Sequence, residues 1–309
     1  MNYDIIGDIH GHAQTLKALL GELDYCLQDG VYRHPTRRAV FLGDFIDRGP
    51  HQRETLVIVR AMIDGGSAMA VMANHEFNAI AYATPDGDQG FMRPHTDKND
   101  QQHAAFLTEF PPGSADYEDA IAWFKTLPLW LDLGSLRVVH ACWDKQLIGR
   151  IQQTYGGACL TDELLSRATD DGCWEFTAVE ILLKGKEIPL PPGYSFEDSY
   201  GTHRLDIRIR WWDQQASTYK EIFMGPPEWA THIPDDDIDG DHLIEYGLDQ
   251  PPVFLGHYWL TGEPGPLEQH VACLDYSVAR PGGKLVAYRW NGERELRKES
   301  FVAVNRVEP

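Results

Sequence analysis

Gly7-Asp8-Ile9-His10-Gly11, Gly43-Asp44-Phe45-Ile46-Asp47-Arg48-Gly49, Asn74-His75-Glu76, His140-Ala141 and Gly256-His257 carry carboxylate, imidazole and amide donors in five short pieces. An Asp and a His two residues apart on a Gly-flanked turn can face one cation, because Gly7 and Gly11 relieve the bend. Asp8 and His10 are therefore expected on a first metal ion. Asp44 is suited to bridge two cations with its two oxygens, and Asn74, His140 and His257 are expected to complete the second. The set contains no thiolate, which suits catalytic divalent metal with open positions for water and substrate. Manganese is the expected pair of ions, with iron or zinc as the alternatives. Two cations roughly 3.5–4 Å apart can hold a bridging hydroxide and polarise a phosphoryl oxygen together, with no covalent phosphoenzyme. His75, next to Asn74, is expected to face the departing oxygen as a general acid, with Asp47 on its other ring nitrogen. Arg48 offers a planar fork of donors to phosphate oxygens.

Each piece alone has a plain structural explanation: Gly-Asp is commonly a turn, a lone His a core residue, Asp-Arg-Gly a surface ion pair. Their order and context decide otherwise. Each follows an apolar run (Asp4-Ile5-Ile6, Ala39 to Leu42, Met69 to Met72, Leu136 to Val139, Val253 to Leu255) that reads as a buried strand. The donors thus fall just past strand ends, where α/β sheets build their sites. Leu16, Leu19, Leu20 and Leu23 form the apolar face of a helix after the first strand, and Leu56, Val59, Met62 and Ile63 that of a second helix closed by Gly65-Gly66. The alternation implies βαβ crossovers. From about 85 to 113 the pattern loosens. Residues 145–250 read as a specificity insertion in a single domain spanning 1–309, with Asp235-Asp236-Asp237 a solvated loop or a calcium-type site. Strands return at Val271 to Leu274 and Lys284 to Tyr288.

A chain of 309 residues with 43% hydrophobic content can bury a large core, and it has no apolar stretch near the ~20 residues of a membrane span. The start Met1-Asn2-Tyr3-Asp4 lacks the regions of a signal peptide, so a cytoplasmic location is expected and no membrane partner. Five scattered cysteines without a Cys-x-x-Cys pair argue for reduced thiols. A net charge of −20 with no basic run argues against nucleic acid as a partner.

The Gly-Asp-x-His-Gly, Gly-Asp-x-x-Asp-Arg-Gly and Asn-His-Glu series resembles the calcineurin-like metallophosphoesterases, specifically the phosphoprotein phosphatase family. Gly256-His257-Tyr258-Trp259, Leu274-Asp275 and Gly282-Gly283-Lys284-Leu285 are similar to the branch of bacterial symmetrical diadenosine tetraphosphate hydrolases and bacterial Ser/Thr phosphatases. The resemblance implies an α/β (α+β) fold, a β-sandwich of mixed sheets flanked by helices with an inserted cap, and phosphoester hydrolysis at a dinuclear metal centre. It also implies a phosphate-gripping arginine near Asp206 to Trp212, where Arg208 and Arg210 share one strand face; Arg210 is the candidate. The expected substrate is a phosphomonoester, small or a Ser/Thr phosphoprotein; the alternative is a dinucleoside polyphosphate, whose base could stack on Trp174, Tyr194, Tyr200, Trp211 or Trp212. A third reading is a metal-binding scaffold without turnover. Three departures from the family pattern stand out: Ala73 for Gly, Cys142 for Gly, and Asp275-Tyr276-Ser277 for Asp-Thr-Gly. Cys142 suggests redox control if its thiol is exposed and ionised, against a small buried hydrophobe otherwise.

Overall fold

The computed structural model describes residues 2–197, 203–225, 229–240 and 243–308. The expected alternation opens the chain: β1 (Asn2–Ile6), α1 (Ala13–Glu22), a hairpin of β2 (Cys26–Gln28) and β3 (Val31–Arg33), β4 (Arg37–Phe41), α2 (Gln52–Asp64), β5 (Ala68–Ala70) and α3 (Asn74–Ala83). Strands β1, β4 and β5 pair in parallel, Ile5 beside Val40 and Val40 beside Met69, as βαβ crossovers require. Two helices follow, α4 (Asp97–Glu109) and α5 (Ala115–Phe124), then the antiparallel pair β6 (Trp130–Asp132) and β7 (Arg137–Val139).

The chain then makes a long excursion before regaining the sheet. It contains α6 (Lys145–Tyr155), α7 (Asp162–Ala168), α8 (Trp174–Lys184), β8 (Glu187–Pro189), β9 (Phe196–Glu197), β10 (His203–Arg204), β11 (Asp206–Arg208) and α9 (Tyr219–Ile222). β12 (Val253–Leu255) returns parallel beside β7, with β13 (Val271–Cys273) parallel on its other side. The closing strands β14 (Asp275–Tyr276), β15 (Lys284–Trp290) and β16 (Phe301–Asn305) join the first sheet, where β15 lies antiparallel to β1.

The two larger sheets are ordered β14-β15-β1-β4-β5 with β16 on β15, and β13-β12-β7-β6. Side chains alternate across each strand. Ile5, Val40, Val71, Val138, Phe254 and Val286 meet in the core between the sheets, whereas Ile6, Phe41, Val139 and Leu255 join the larger core shared with the helices. Both faces are covered, so the strands read as unbroken apolar runs rather than alternating ones.

Helix α4 occupies the stretch whose pattern loosens in the sequence. Only His103 and Phe106 of its 13 residues are buried, so it shows no apolar stripe to read. The excursion also differs from expectation in its aromatics. Trp211 and Trp212 are core residues: the Trp211 indole donates to the Ala141 carbonyl at 3.0 Å, and Trp212 packs edge-on to Tyr258. Neither is open to a base. Trp174 is half-buried with the Arg150 guanidinium 3.8 Å from its ring, Tyr194 is exposed, and Tyr200 lies outside the described residues. Asp235, Asp236 and Asp237 are exposed, Asp235 accepting from the Thr218 hydroxyl, and none joins a metal-type cluster among the described residues.

Gly7, just past β1, packs against Leu274, just past β13. A Cβ on Gly7 would stand 2.1 Å from the Leu274 carbonyl oxygen, whereas one on Gly21, in α1, would meet nothing within 4 Å. Gly7→Ala should therefore cost about 1–3 kcal/mol of stability, and Gly21→Ala should gain about 0.5–1 kcal/mol through helix propensity. Urea unfolding midpoints of the two variants check both signs.

Candidate metal centre and active site

Five turns at the carboxyl ends of β1, β4, β5, β7 and β12 carry the sequence-predicted donors, and hydrogen bonds lace the turns together. The Asp44 carbonyl accepts from Ile9 N and His10 N, and Gly256 N donates to the His140 carbonyl. Across the sandwich, His257 N donates to Asp8 Oδ2 at 2.9 Å and His140 Nδ1 meets the Leu42 carbonyl at 2.7 Å. A Cβ on Gly256 would lie 2.0 Å from Asp8 Oδ1, so only glycine lets these turns close. His10, Asp44, Asp47, Arg48 and His257 all have φ between 46° and 70°, a left-handed conformation costly for residues with a Cβ. Such strain gathers where surrounding structure over-determines the backbone.

The donors converge with too few protons among them. His10 Nδ1 bonds the Ile46 carbonyl at 2.9 Å, and His140 Nδ1 bonds that of Leu42; a carbonyl only accepts, so each ring keeps its proton on Nδ1. Their Nε2 lone pairs then face Asp44 Oδ2 at 3.3 and 3.5 Å. Asn74 Oδ1 lies 3.1 Å from His140 Nε2 and 3.0 Å from His257 Nδ1. Asp8 Oδ1, His10 Nε2 and His257 Nε2 are buried without a hydrogen-bond partner. Electron pairs packed so closely repel unless a positive charge sits among them, and divalent cations fit this set of oxygen and nitrogen donors. Among the described residues two groups have the spacing of a metal site, His10-Asp44-His75 and Asp44-His140-His257, sharing Asp44.

Titration follows the same logic. Burial raises Asp44, but His75, His140 and His10 outweigh it and hold the carboxyl well below its ordinary range. Burial, Asp275 and Asp44 raise Asp8. Burial pulls His140 down, yet Asp44 and Asp8 prevail and hold it up at about 9. Burial wins at His10, pulling it to about 3.

Asp47 Oδ2 stands 2.5 Å from His75 Nδ1, as the spacing predicts, and Asp47 Oδ1 lies 2.8 Å from His103 Nδ1. Burial would raise Asp47, but the two imidazoles hold it at about 2, so it stays ionised. Burial lowers His75, while Asp44 and Asp47 more than compensate and raise it. His103 completes a His75-Asp47-His103 chain, and nothing in its polar helix marks it in the sequence.

Glu76 is a second residue whose role the sequence leaves open. Its carboxylate accepts from Asp44 N at 3.0 Å, Phe45 N at 2.8 Å and Ala73 N at 3.2 Å. It thereby caps α3, which Ala73 cannot do, and fixes the Asp44 turn; Ala73 has φ −112°, which alanine adopts freely. Gln52 does the same for the neighbouring turn, accepting from Asp47 N and donating to the Gly49 carbonyl.

Cationic side chains ring the cluster. Arg48 is exposed at its edge, and its charge lowers His10 and His75. Of the two arginines after β10, Arg208 is the one brought to the site: its charge lowers His257, and its Nε is buried without a partner. Arg210 is exposed, and no hydrogen bond or ion pair ties its side chain to the cluster. Arg93 lines a polar cleft with Asp47, His75 and His103, where the amide oxygens of Asn78, Asn99 and Gln102 hold its guanidinium. Cys142 is fully buried, and burial together with Asp144 pushes its thiol up, so it packs as the small buried hydrophobe and does not meet the condition set for redox control.

The model of the calcineurin-like phosphoesterase family matches residues 1–258. The chain belongs to that family. This calcineurin-like phosphoesterase is 42% identical over 76 residues to the asymmetrical bis(5'-nucleosyl)-tetraphosphatase PrpE of Halalkalibacterium halodurans, a match covering 24% of this chain and 31% of that protein. It is 30% identical over 153 residues to the PrpE of Oceanobacillus iheyensis, covering 48% of this chain and 60% of the relative. The matches thus span less than two thirds of either relative. A protein serine/threonine phosphatase from Saccharomyces cerevisiae shares the fold, at TM-score 0.50 and 14% identity, over 100% of this chain and 81% of the other.

Metal binding has a direct thermal signature, since a ligand held at a hundred times its Kd stabilises a fold by about 2.7 kcal/mol. Mn²⁺ should raise the melting temperature of this calcineurin-like phosphoesterase, and Asp44→Asn should abolish the rise. Differential scanning calorimetry with and without the ion reads both.

Proposed function

We propose that this chain hydrolyses dinucleoside polyphosphates at a dinuclear metal centre held by Asp8, His10, Asp44, Asn74, His140 and His257. The observation that carries the reading is the gathering of Arg48, Arg208 and Arg93 around one carboxylate–imidazole cluster in a chain whose net charge is −20. Cations collected against the overall charge suit a substrate with several phosphates. The names of the PrpE relatives favour the dinucleotide over the phosphomonoester expected from sequence. Residues 145–250 serve, on this reading, as a cover that brings Arg208 to the centre.

Two divalent cations would supply Lewis acidity, lowering the pKa of water and offsetting phosphoryl charge. The chain's own residues do the rest. Arg48 and Arg208 bind phosphoryl oxygens through planar forks and fix the in-line geometry. His75, its Nδ1 held by ionised Asp47, presents Nε2 to the departing oxygen and gives it a proton. His103 keeps Asp47 ionised and its carboxylate plane fixed. Manganese is the proposed ion, since oxygen and nitrogen donors without thiolate suit it.

The test is kcat/KM with Mn²⁺ on diadenosine tetraphosphate and on a phosphoserine peptide. Preference for the dinucleotide by roughly a hundredfold, about 2.7 kcal/mol of transition-state binding, is expected. The reverse preference would return the phosphomonoesterase reading, and no turnover on either would leave a metal-binding scaffold. His75→Asn should lower kcat by about 10²–10⁴ with metal content unchanged by elemental analysis. Arg208→Ala should raise KM while Arg210→Ala leaves it near wild type; steady-state kinetics on both variants separates the two arginines.

A further inference from the structure

Arg48 and Arg280 share a single aromatic ring. The Arg48 guanidinium carbon lies 4.0 Å from the Trp259 ring centroid, and that of Arg280 lies 4.4 Å from it. Both arginines are exposed, and Trp259 is half-buried. Acidic residues outnumber basic ones 47 to 27, and Arg37, Arg53, Arg60, Arg137, Arg167 and Arg289 all pair with a carboxylate. Neither Arg48 nor Arg280 does so among the described residues. Two like charges assembled on one ring, with acids plentiful elsewhere, lack a counter-charge that an anion would supply.

The assembly is built rather than incidental. The buried Asp275 carboxylate accepts from Trp259 N at 2.7 Å and from Ser277 N at 2.9 Å, clamping the two turns that carry Trp259 and Arg280. Arg280 N donates to the Ser277 carbonyl at 2.8 Å, and the Ser277 hydroxyl donates to the Leu260 carbonyl at 3.1 Å. Arg48, Trp259 and Ser277 have φ of 70°, 53° and 57°, so three residues with side chains hold a left-handed backbone to aim this group. Trp259 lies two residues after His257, and Arg48 directly follows Asp47. The pair therefore stands immediately outside the donor cluster.

We propose that Arg280, held beside Arg48 by Trp259, binds the phosphoryl group adjacent to the one at the donor cluster and so selects phosphate chains over isolated phosphomonoesters. The inference deepens the polyphosphate reading of the site and rests on it for its biological substrate. A monoester presents one phosphoryl group, which Arg48 and Arg208 suffice to hold. A phosphate chain presents a second, and a planar guanidinium donates two parallel hydrogen bonds to it.

The experiment is titration calorimetry of the full chain, with Mn²⁺ in excess, against orthophosphate and against methylenebisphosphonate, a pyrophosphate mimic that cannot be hydrolysed. Wild type should bind the bisphosphonate more tightly. Arg280→Gln should weaken the bisphosphonate by roughly tenfold and lower its preference over orthophosphate by about the same factor. Arg280→Lys, which keeps the charge and loses the fork, should fall between. The control Arg294→Gln, at an exposed arginine bonded to the Asp249 carbonyl, should leave the preference at wild type. A preference in Arg280→Gln within about twofold of wild type, whether both affinities fall together or neither changes, would overturn the proposal. If calorimetry behaves as expected while diadenosine tetraphosphate is not cleaved, the substrate reading fails and the role of Arg280 stands.

Discussion

Asp44 is the point on which the site depends. Its carboxylate, buried and ionised, faces the lone pairs of His10 and His140 and accepts from His75 N; its amide is held by Glu76; its carbonyl ties down Ile9 and His10. A buried carboxylate costs several kcal/mol unless positive charge or donors surround it. The donors that the protein supplies are few, and the remaining demand matches cations better than protons. The electrostatics that would penalise this arrangement in an ordinary core suits it to divalent cations.

Such a cluster needs a frame that resists collapse and repulsion alike. The sandwich provides it by bringing the carboxyl ends of parallel strands from both sheets to one edge, where His257 N reaches Asp8 and His140 reaches Leu42 from the opposite sheet. Left-handed backbone at five site residues is sustained by these cross-links and by buried side chains that accept amide protons, Glu76 and Gln52 foremost. Buried side chains whose hydrogen bonds to these turns are satisfied rigidify them. The excursion between β7 and β12 is anchored to the same edge, since Trp211 donates to the Ala141 carbonyl beside His140, as does Tyr258 from beyond β12.

Around this negative centre the charge changes sign. Arg48, Arg93 and Arg208 approach from a loop, from the segment before α4 and from β11, three parts of the chain far apart in sequence. None has the strong carboxylate pairing seen for arginines elsewhere; Arg208 stands 3.6 Å from Glu187, and Arg93 is held by amides. A ring of weakly compensated cations about a cluster of donors is suited to grip phosphate oxygens while the donors hold metal.

The motifs carried much of this in advance. Short apolar runs ending in Gly-Asp, Asn-His and Gly-His marked the strands and the donors, because strand burial and ligand chemistry are both local properties of a few consecutive residues. The His75–Asp47 pair was legible for the same reason, each residue lying beside a donor. What sequence could not show depends on distance across the fold. His103 sits in a polar helix with two buried residues, Glu76 acts on the Phe45 amide 31 residues away, and Arg208 rather than Arg210 is the arginine whose charge reaches His257. Trp211 and Trp212 looked available to a base until packing buried them. Residue type and spacing by themselves marked the strands and placed the carboxylates and imidazoles just past their ends, since both are local properties of the chain. Tertiary structure alone decided which cations face that set and which side chains hold its turns, because charge and hydrogen bonding act through space and not along the chain.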